Sequence, residues 1–165
     1  MKPEGQSLPD ALAFIADKIG SESRIDFEAR FRDPAGSREI IQQLSYRASS
    51  VAIDPNRCQL SYRWHVEQDG RSLPDRDRTV ELRLSKSISV QTIDQALADL
   101  NSAAGHPFTV EARPPAYAVH IARWDNAAGD NLYFRGKDMA MRVGDVAKHA
   151  LELCDDKTKQ AFRGR

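Results

Sequence analysis

The stretch Cys-Gln-Leu-Ser-Tyr-Arg-Trp-His-Val-Glu, residues 58–67, alternates apolar and polar side chains without a break. A period of two predicts a β-strand with one buried and one exposed face. The turn sequence Asp-Pro-Asn-Arg at 54–57 precedes this segment, and Asp69-Gly70 follows it. Because strands with one polar face are typical of antiparallel sheets, the segment predicts an antiparallel sheet.

Segments on both sides of this strand repeat its alternation. Residues 25–31 alternate in the same way, and residues 44–53 form a second predicted strand. Further apolar runs that are joined by short turns or loops fall at residues 80–90, 108–112, 117–122 and 131–135. The pattern predicts a curled antiparallel sheet, or a partly open barrel, of about seven strands.

Segments with a helical period flank these strands. Residues 7–20 have Ser7 as the predicted N-cap, an apolar stripe at three- and four-residue steps, and Gly20 as the predicted end. Residues 137–154 form a longer amphipathic helix, and residues 93–104 fit a short one. A helix, a series of strands and a final helix are typical of an α+β fold and exclude a βαβ alternation.

The sequence is therefore interpreted as a single domain, residues 1–165. Its predicted parts are an N-terminal helix at 7–20, the antiparallel sheet at 24–135, a C-terminal capping helix at 137–154 and a frayed, charged tail at 155–165. A domain of this length buries roughly two-thirds of its unfolded surface, so it needs neither a structural metal nor a disulfide framework to fold.

Four short segments resemble small bacterial proteins with a pleckstrin-homology-like (PH-like) domain. They are Ser-Leu-Pro-Asp-Ala-Leu at 7–12, Ile-Asp-Pro-Asn-Arg-Cys at 53–58, Phe-Arg-Gly-Lys-Asp-Met-Ala at 134–140 and His-Ala-Leu-Glu-Leu-Cys at 149–154. The resemblance implies a PH-like barrel whose open end is covered by the last helix. It also implies a non-catalytic binding or scaffold domain, since none of these segments names a ligand.

PH-like barrels commonly bind peptides between the final helix and an adjacent strand, where the peptide extends the sheet. The resemblance thus implies a protein or peptide partner beside the C-terminal helix. The residues predicted to line that groove are Leu132, Phe134, Met141 and His149. Trp124 and Tyr133 have no predicted core face and are further candidates for surface contacts.

The helical character of residues 93–104 keeps a second hypothesis open, because a barrel connection does not need a helix there. In this alternative, an α+β cone encloses the pocket of a small-ligand carrier or a small enzyme. The two hypotheses differ in their interiors, since the cone predicts a polar-lined cavity. The barrel predicts an interior filled by Phe27, Leu60, Tyr62, Trp64, Leu82 and Val146.

The composition argues against two classes of partner. Twenty-four basic residues balance 24 acidic ones, and this zero formal net charge is not typical of a nucleic-acid binder. No apolar run approaches the ~20 residues of a membrane helix. We therefore expect no nucleic-acid partner and no membrane span, and a monomer or a weak homodimer.

No motif predicts a catalytic residue, a metal site or a cofactor. The sequence lacks the closely spaced Cys or His pairs of metal sites, the G-x-S-x-G motif of many serine hydrolases and Gly-rich phosphate loops. His65 is predicted to be exposed on the polar side of its strand. Arg71, Arg76 and Arg78 alternate with acidic residues, which favours a solvated loop over a lipid-binding one.

The two cysteines leave the cellular compartment open. Cys58 precedes the best predicted strand, and Cys154 ends the best predicted helix, both on apolar faces. They are interpreted either as two buried free thiols of a cytoplasmic protein or as a disulfide. A disulfide would form if the end of the helix reaches the strand, and it would indicate an extracytoplasmic protein.

Overall fold

Three α-helices and nine β-strands occur within residues 6–125 and 129–163, which the computed structural model describes, with side chains up to residue 155. In chain order they are α1 (Leu8–Glu22), β1 (Ile25–Arg32), β2 (Glu39–Asp54), β3 (Gln59–Gln68), β4 (Arg71–Ser72), β5 (Arg76–Glu81), β6 (Ser85–Thr92), α2 (Ile93–Ala103), β7 (Thr109–Arg113), β8 (Tyr117–Arg123), β9 (Asp130–Phe134) and α3 (Lys137–Arg163).

The strands form two sheets in which every pair is antiparallel. The large sheet has the order β4-β3-β2-β1-β7, and β5 pairs with β3 beside β4. The small sheet has the order β6-β8-β9. The α+β class with curled antiparallel sheets and helices is confirmed. The described strands do not close into one barrel, because they are divided between two sheets.

The predicted helices are present, with different ends. The Ser7 side chain accepts a hydrogen bond from the Asp10 amide and caps α1, as predicted. The prediction that Gly20 ends this helix was wrong, since α1 continues to Glu22. A glycine inside a helix costs only about 1 kcal/mol, which the packing of a buried apolar stripe outweighs. The helix α2 is confirmed, and α3 continues to Arg163.

Residues 132–134 of β9, in the small sheet, are buried on both faces. Leu132 and Phe134 of β9 point into a core shared with α1 and α3, whereas Tyr133 between them points into a second core with β1 and β2. The two faces of β9 therefore contact two different cores, and neither of these faces is turned to solvent at residues 132–134. As a consequence, Tyr133 is buried, while Trp124, the other candidate surface aromatic, is 65% exposed.

The interior is apolar. The residues predicted to fill it, Phe27, Leu60, Tyr62, Leu82 and Val146, are buried, and Trp64 packs against both cores. The ring of Tyr46 lies 5.1 to 5.2 Å from the rings of Phe27, Trp64 and Tyr133. Burial raises the pKa of Tyr133 to about 12. The barrel hypothesis predicted that these side chains are buried, but it placed them in one interior, whereas Phe27 lies in a different core from Leu60, Tyr62, Leu82 and Val146.

The C-terminal half of α3 reaches the start of β3. Cys58 and Cys154 are both fully buried, and their Cα atoms are 6.0 Å apart with the sulfur atoms at disulfide distance. Disulfides usually have Cα separations of 4.4 to 6.8 Å. The fold thus supplies the contact on which the disulfide hypothesis depended.

Among the described residues, none of the helices combines the length and the apolar composition that a membrane crossing requires.

Candidate functional site

A β-bulge interrupts the pairing of β2 with β3. Ser49 pairs with Arg63, but the next pair joins Ala52 to Ser61, so two residues of β2 lie opposite one of β3. Within the bulge, Ser50 has a φ of 51°, a left-handed conformation that few residues other than glycine adopt. Bulges change the direction of neighbouring side chains and are frequent next to functional sites. This bulge lies directly after Ser49.

Three polar side chains form a hydrogen-bonded chain on the outer face of the large sheet. Ser49 Oγ lies 2.5 Å from His65 Nε2. On the other side of the ring, His65 Nδ1 lies 2.8 Å from Asp75 Oδ1. Since a carboxylate only accepts, Nδ1 carries the hydrogen, and a neutral ring then accepts the Ser49 hydroxyl at Nε2. The arrangement is that of a nucleophile, a base and an orienting carboxylate.

Asp75 is fixed by two donors. It lies just before β5, where the pairing of β5 with β3 brings it beside His65, and Arg63 Nε donates to its second oxygen at 3.2 Å. The hydrogen bond from His65 is the main cause that lowers the pKa of Asp75, and Arg63 lowers it further. The carboxylate is therefore charged near neutral pH and holds the His65 ring in one orientation.

Two open depressions adjoin this chain of side chains. The His65 pocket has a volume of about 350 Å³ and is lined by Arg24, Ser45, Arg47, His65, Val66, Glu67, Ser72 and Asp75. The bulge pocket has a volume of about 550 Å³ and is lined by Gly20, Ser21, Ser23, Arg24, Arg47, Ala48, Ser49, Ser50 and Val51. Arg24 and Arg47 line both.

The charges differ between the two pockets. In the His65 pocket, the guanidinium groups of Arg24 and Arg47 and the hydroxyls of two serines can donate to an anion, and the carboxylates of Glu67 and Asp75 lie beside them. The bulge pocket adjoins the C-terminal turn of α1, where the helix dipole is negative. Because Arg24 and Arg47 line both pockets, these two guanidinium groups can hold an anionic group where the pockets adjoin.

The structure does not bring the four predicted groove residues to one exposed surface. Leu132 and Phe134 are buried in the core, and Met141 is 45% exposed on α3. His149 is half-buried, and its Nε2 donates to the Gln6 carbonyl oxygen at 2.8 Å. A partner beside α3 can contact Met141 without disrupting the core. A partner at this helix therefore stays a prediction, and Met141 is the exposed residue on which it rests.

His65 has a different environment from the one that was predicted. Its side chain is only 20% exposed, because Ser49 and Asp75 flank it on the strand surface. Alternation placed it correctly on the polar face, but the sequence contains no short motif that links it to residues 16 positions earlier and 10 later. The sequence indicated this site only through residue type, because Ser49, His65 and Asp75 are polar and lie outside the apolar positions of their segments.

The described part of the chain contains no cluster of three or more His, Cys, Asp or Glu side chains able to hold a metal ion. Comparison of the chain with known families finds no matching family model, and comparison with curated proteins and with solved structures finds no similar protein. The geometry of the outer face is therefore the basis for a functional proposal.

Proposed function

We propose that this protein is a binding domain for a small organic carboxylate, which it holds in the His65 pocket on the outer face of the large sheet. In this proposal, the carboxylate group lies between Arg24 and Arg47. The site differs from the enclosed pocket of the cone hypothesis, because it is open to solvent and the two cores beneath the sheet are apolar.

The observation that carries the proposal is the position of Arg47. It lines both pockets, is exposed, and makes no ion pair among the residues that the structure describes. Arg63, by contrast, pairs with Asp75 on the same face. A planar guanidinium presents a fork of donors that matches a carboxylate, so an unpaired one beside a second guanidinium favours an anionic ligand.

The acidic residues of the pocket support a small ligand over a broad anionic surface. Asp75 already accepts hydrogen bonds from His65 and Arg63, so its charge is largely compensated. Glu67 lies at the same depression and repels an extended polyanion. A ligand with one carboxylate between Arg24 and Arg47 brings less negative charge near Glu67 than an extended polyanion does.

The test is an NMR titration of the protein with succinate, in which the amide signals of β2 and β3 are followed. We expect saturable shifts centred on Arg47 and His65, and at least about a tenfold weaker affinity in the variant Arg47→Ala, since a hydrogen bond to a charged group contributes about 1.5–3 kcal/mol. The matched control is Arg38→Ala, which removes the same charge just before β2.

Two results would overturn the proposal. One is the absence of saturable shifts at β2 and β3. The other is an equal loss of affinity in Arg47→Ala and Arg38→Ala, which would indicate attraction by overall charge alone.

The compartment and the family resemblance are also proposals. Disulfides persist in oxidising compartments, so the position of Cys58 beside Cys154 supports a place outside the cytoplasm. The PH-like identity is a proposal that rests on the four sequence segments at 7–12, 53–58, 134–140 and 149–154.

A further inference from the structure

We propose that Ser49 is a nucleophile that accepts the acyl group of an ester bound in the His65 pocket, with His65 as its general base. The inference rests on the proposed function for one feature only, the preference for an ester that also carries a carboxylate. The nucleophile itself is inferred from the geometry of three side chains.

The geometry meets the requirements for an activated hydroxyl. A serine hydroxyl is a weak nucleophile unless a base within hydrogen-bond reach removes its proton, and His65 Nε2 lies 2.5 Å from Ser49 Oγ. The base needs its second nitrogen fixed, and Asp75 accepts from Nδ1 at 2.8 Å. Asp75 is thus a positioning residue, because it acts through the orientation and charge of His65.

The hydroxyl is also accessible. Ser49 lines the bulge pocket, and the half-buried His65 lines the adjoining one, so the Ser49–His65 contact lies where the two depressions meet. The bulge that follows Ser49 leaves Ser50 and Val51 opposite a single residue of β3. Strained backbone of this kind is typical of functional sites, and it distinguishes this strand position from an ordinary polar one.

The substrate preference follows from Arg47. This residue is on the same strand as Ser49, two positions earlier and thus on the same face, and its partner across the sheet is His65. A carboxylate bound by Arg47 therefore places an ester group a few bonds away near the Ser49 hydroxyl. The chemical class that fits is a half-ester of a short dicarboxylic acid.

The reaction needs only the ester and water. Ser49 Oγ forms a bond to the ester carbonyl carbon while its proton moves to His65 Nε2. The bond to the leaving alcohol then breaks, and the proton passes from His65 to the alcohol oxygen. Water, deprotonated by His65, then forms a bond to the acyl carbon. The bond between this carbon and Ser49 Oγ breaks, and His65 returns the proton to Oγ, which releases the acid and restores the Ser49 hydroxyl.

The experiment incubates the full chain with the mono-p-nitrophenyl ester of glutaric acid and follows nitrophenolate release and protein mass. We expect a covalent glutaryl adduct that peptide mapping assigns to Ser49. Ser49→Ala abolishes the adduct, whereas the matched control Ser61→Ala, on the adjacent strand and outside both pockets, retains it. His65→Gln slows acylation at least about 100-fold, the usual contribution of a general base.

Asp75→Asn tests the positioning role. We expect at least about tenfold slower acylation without a loss of affinity for succinate, because the substitution alters the base, removes a negative charge from the pocket and leaves Arg24 and Arg47 in place. Peptide mapping of the unsubstituted protein keeps the test independent of whether any variant folds.

Three outcomes separate this inference from the proposed function. Succinate binding without an adduct at Ser49 overturns the nucleophile and leaves the binding domain. An adduct at Ser49 that forms equally fast with p-nitrophenyl butyrate, the uncharged counterpart, supports the nucleophile and overturns the carboxylate preference. An adduct spread over several serines or lysines overturns the inference, since it indicates only the intrinsic reactivity of the ester.

Discussion

The two faces of the β2–β3 pair differ as strongly as a protein core and a candidate active site. On the inner face, Tyr46 and Trp64 pack ring against ring at 5.2 Å. On the outer face, the next residues along each strand, Arg47 and His65, line an open pocket. Adjacent residues therefore serve opposite purposes: one face stabilises the fold, and the rigid strands hold the polar groups of the other face in fixed positions.

The largest difference between the faces should appear on truncation. We expect Tyr46→Ala to lower the free energy of unfolding by about 3–5 kcal/mol, because it removes a buried ring that contacts three others and leaves a cavity. Arg47→Ala, one residue further, should change it by no more than about 0.5 kcal/mol. Urea unfolding followed by tryptophan fluorescence measures both. Similar losses for the two variants would show that the outer face is not free for function.

The link between β3 and α3 gives the next effect in size. If Cys58 and Cys154 are bonded, reduction should lower the free energy of unfolding by about 2–4 kcal/mol, since the bond closes a loop of 96 positions in the unfolded chain. Urea unfolding with and without dithiothreitol measures this difference.

The double variant Cys58→Ala with Cys154→Ala is the control, because its stability should not respond to dithiothreitol. If the denatured protein contains two titratable thiols before any reductant is added, both cysteines are free and the disulfide is contradicted.

The inner face was predictable from the sequence, because a period of two directly identifies which side chains are buried. Leu60 and Tyr62 are in the core, as the alternation of β3 predicted. The turn at Asp69-Gly70 was also identifiable, since both residues adopt the positive φ angles that a two-residue hairpin requires. Local patterns thus predicted most of the strands, the three helices and most of the core.

The candidate site was not predictable, because it depends on the register between two strands and on a loop whose sequence shows no helical or strand period. Ser49 contacts His65 only when β2 pairs with β3 in one register, and the bulge beside Ser49 contains no residue type that predicts it. Asp75 comes from a polar stretch that the sequence favours as loop, although β5 begins directly after it. The burial of Tyr133 escaped prediction for a similar reason: a second core on the far side of β9 is not encoded in β9 itself.

The smallest effect is the acidity of Asp75, and it tests the outer face most directly. Hydrogen bonds from His65 and Arg63 lower its pKa below the ordinary 3.8, so the carboxylate stays charged to a lower pH than in the unfolded chain. A lowered pKa means that the associated stabilisation is complete above the unfolded value and is lost as the pH falls through the folded one. The titration of the Asp75 side-chain carboxyl carbon by NMR measures the midpoint.

The variant His65→Gln should raise this midpoint, because it removes the hydrogen bond that is the largest cause of the lowered pKa. Asp33 provides a control within the same spectra, since its pKa is lowered mainly by the Ser37 side chain and should not respond to the substitution. An unchanged Asp75 midpoint in His65→Gln would show that His65 and Asp75 do not bond in solution. The outer face would then be a polar surface without the hydrogen-bonded chain of Ser49, His65 and Asp75. The two faces would differ only in how deeply their side chains are buried.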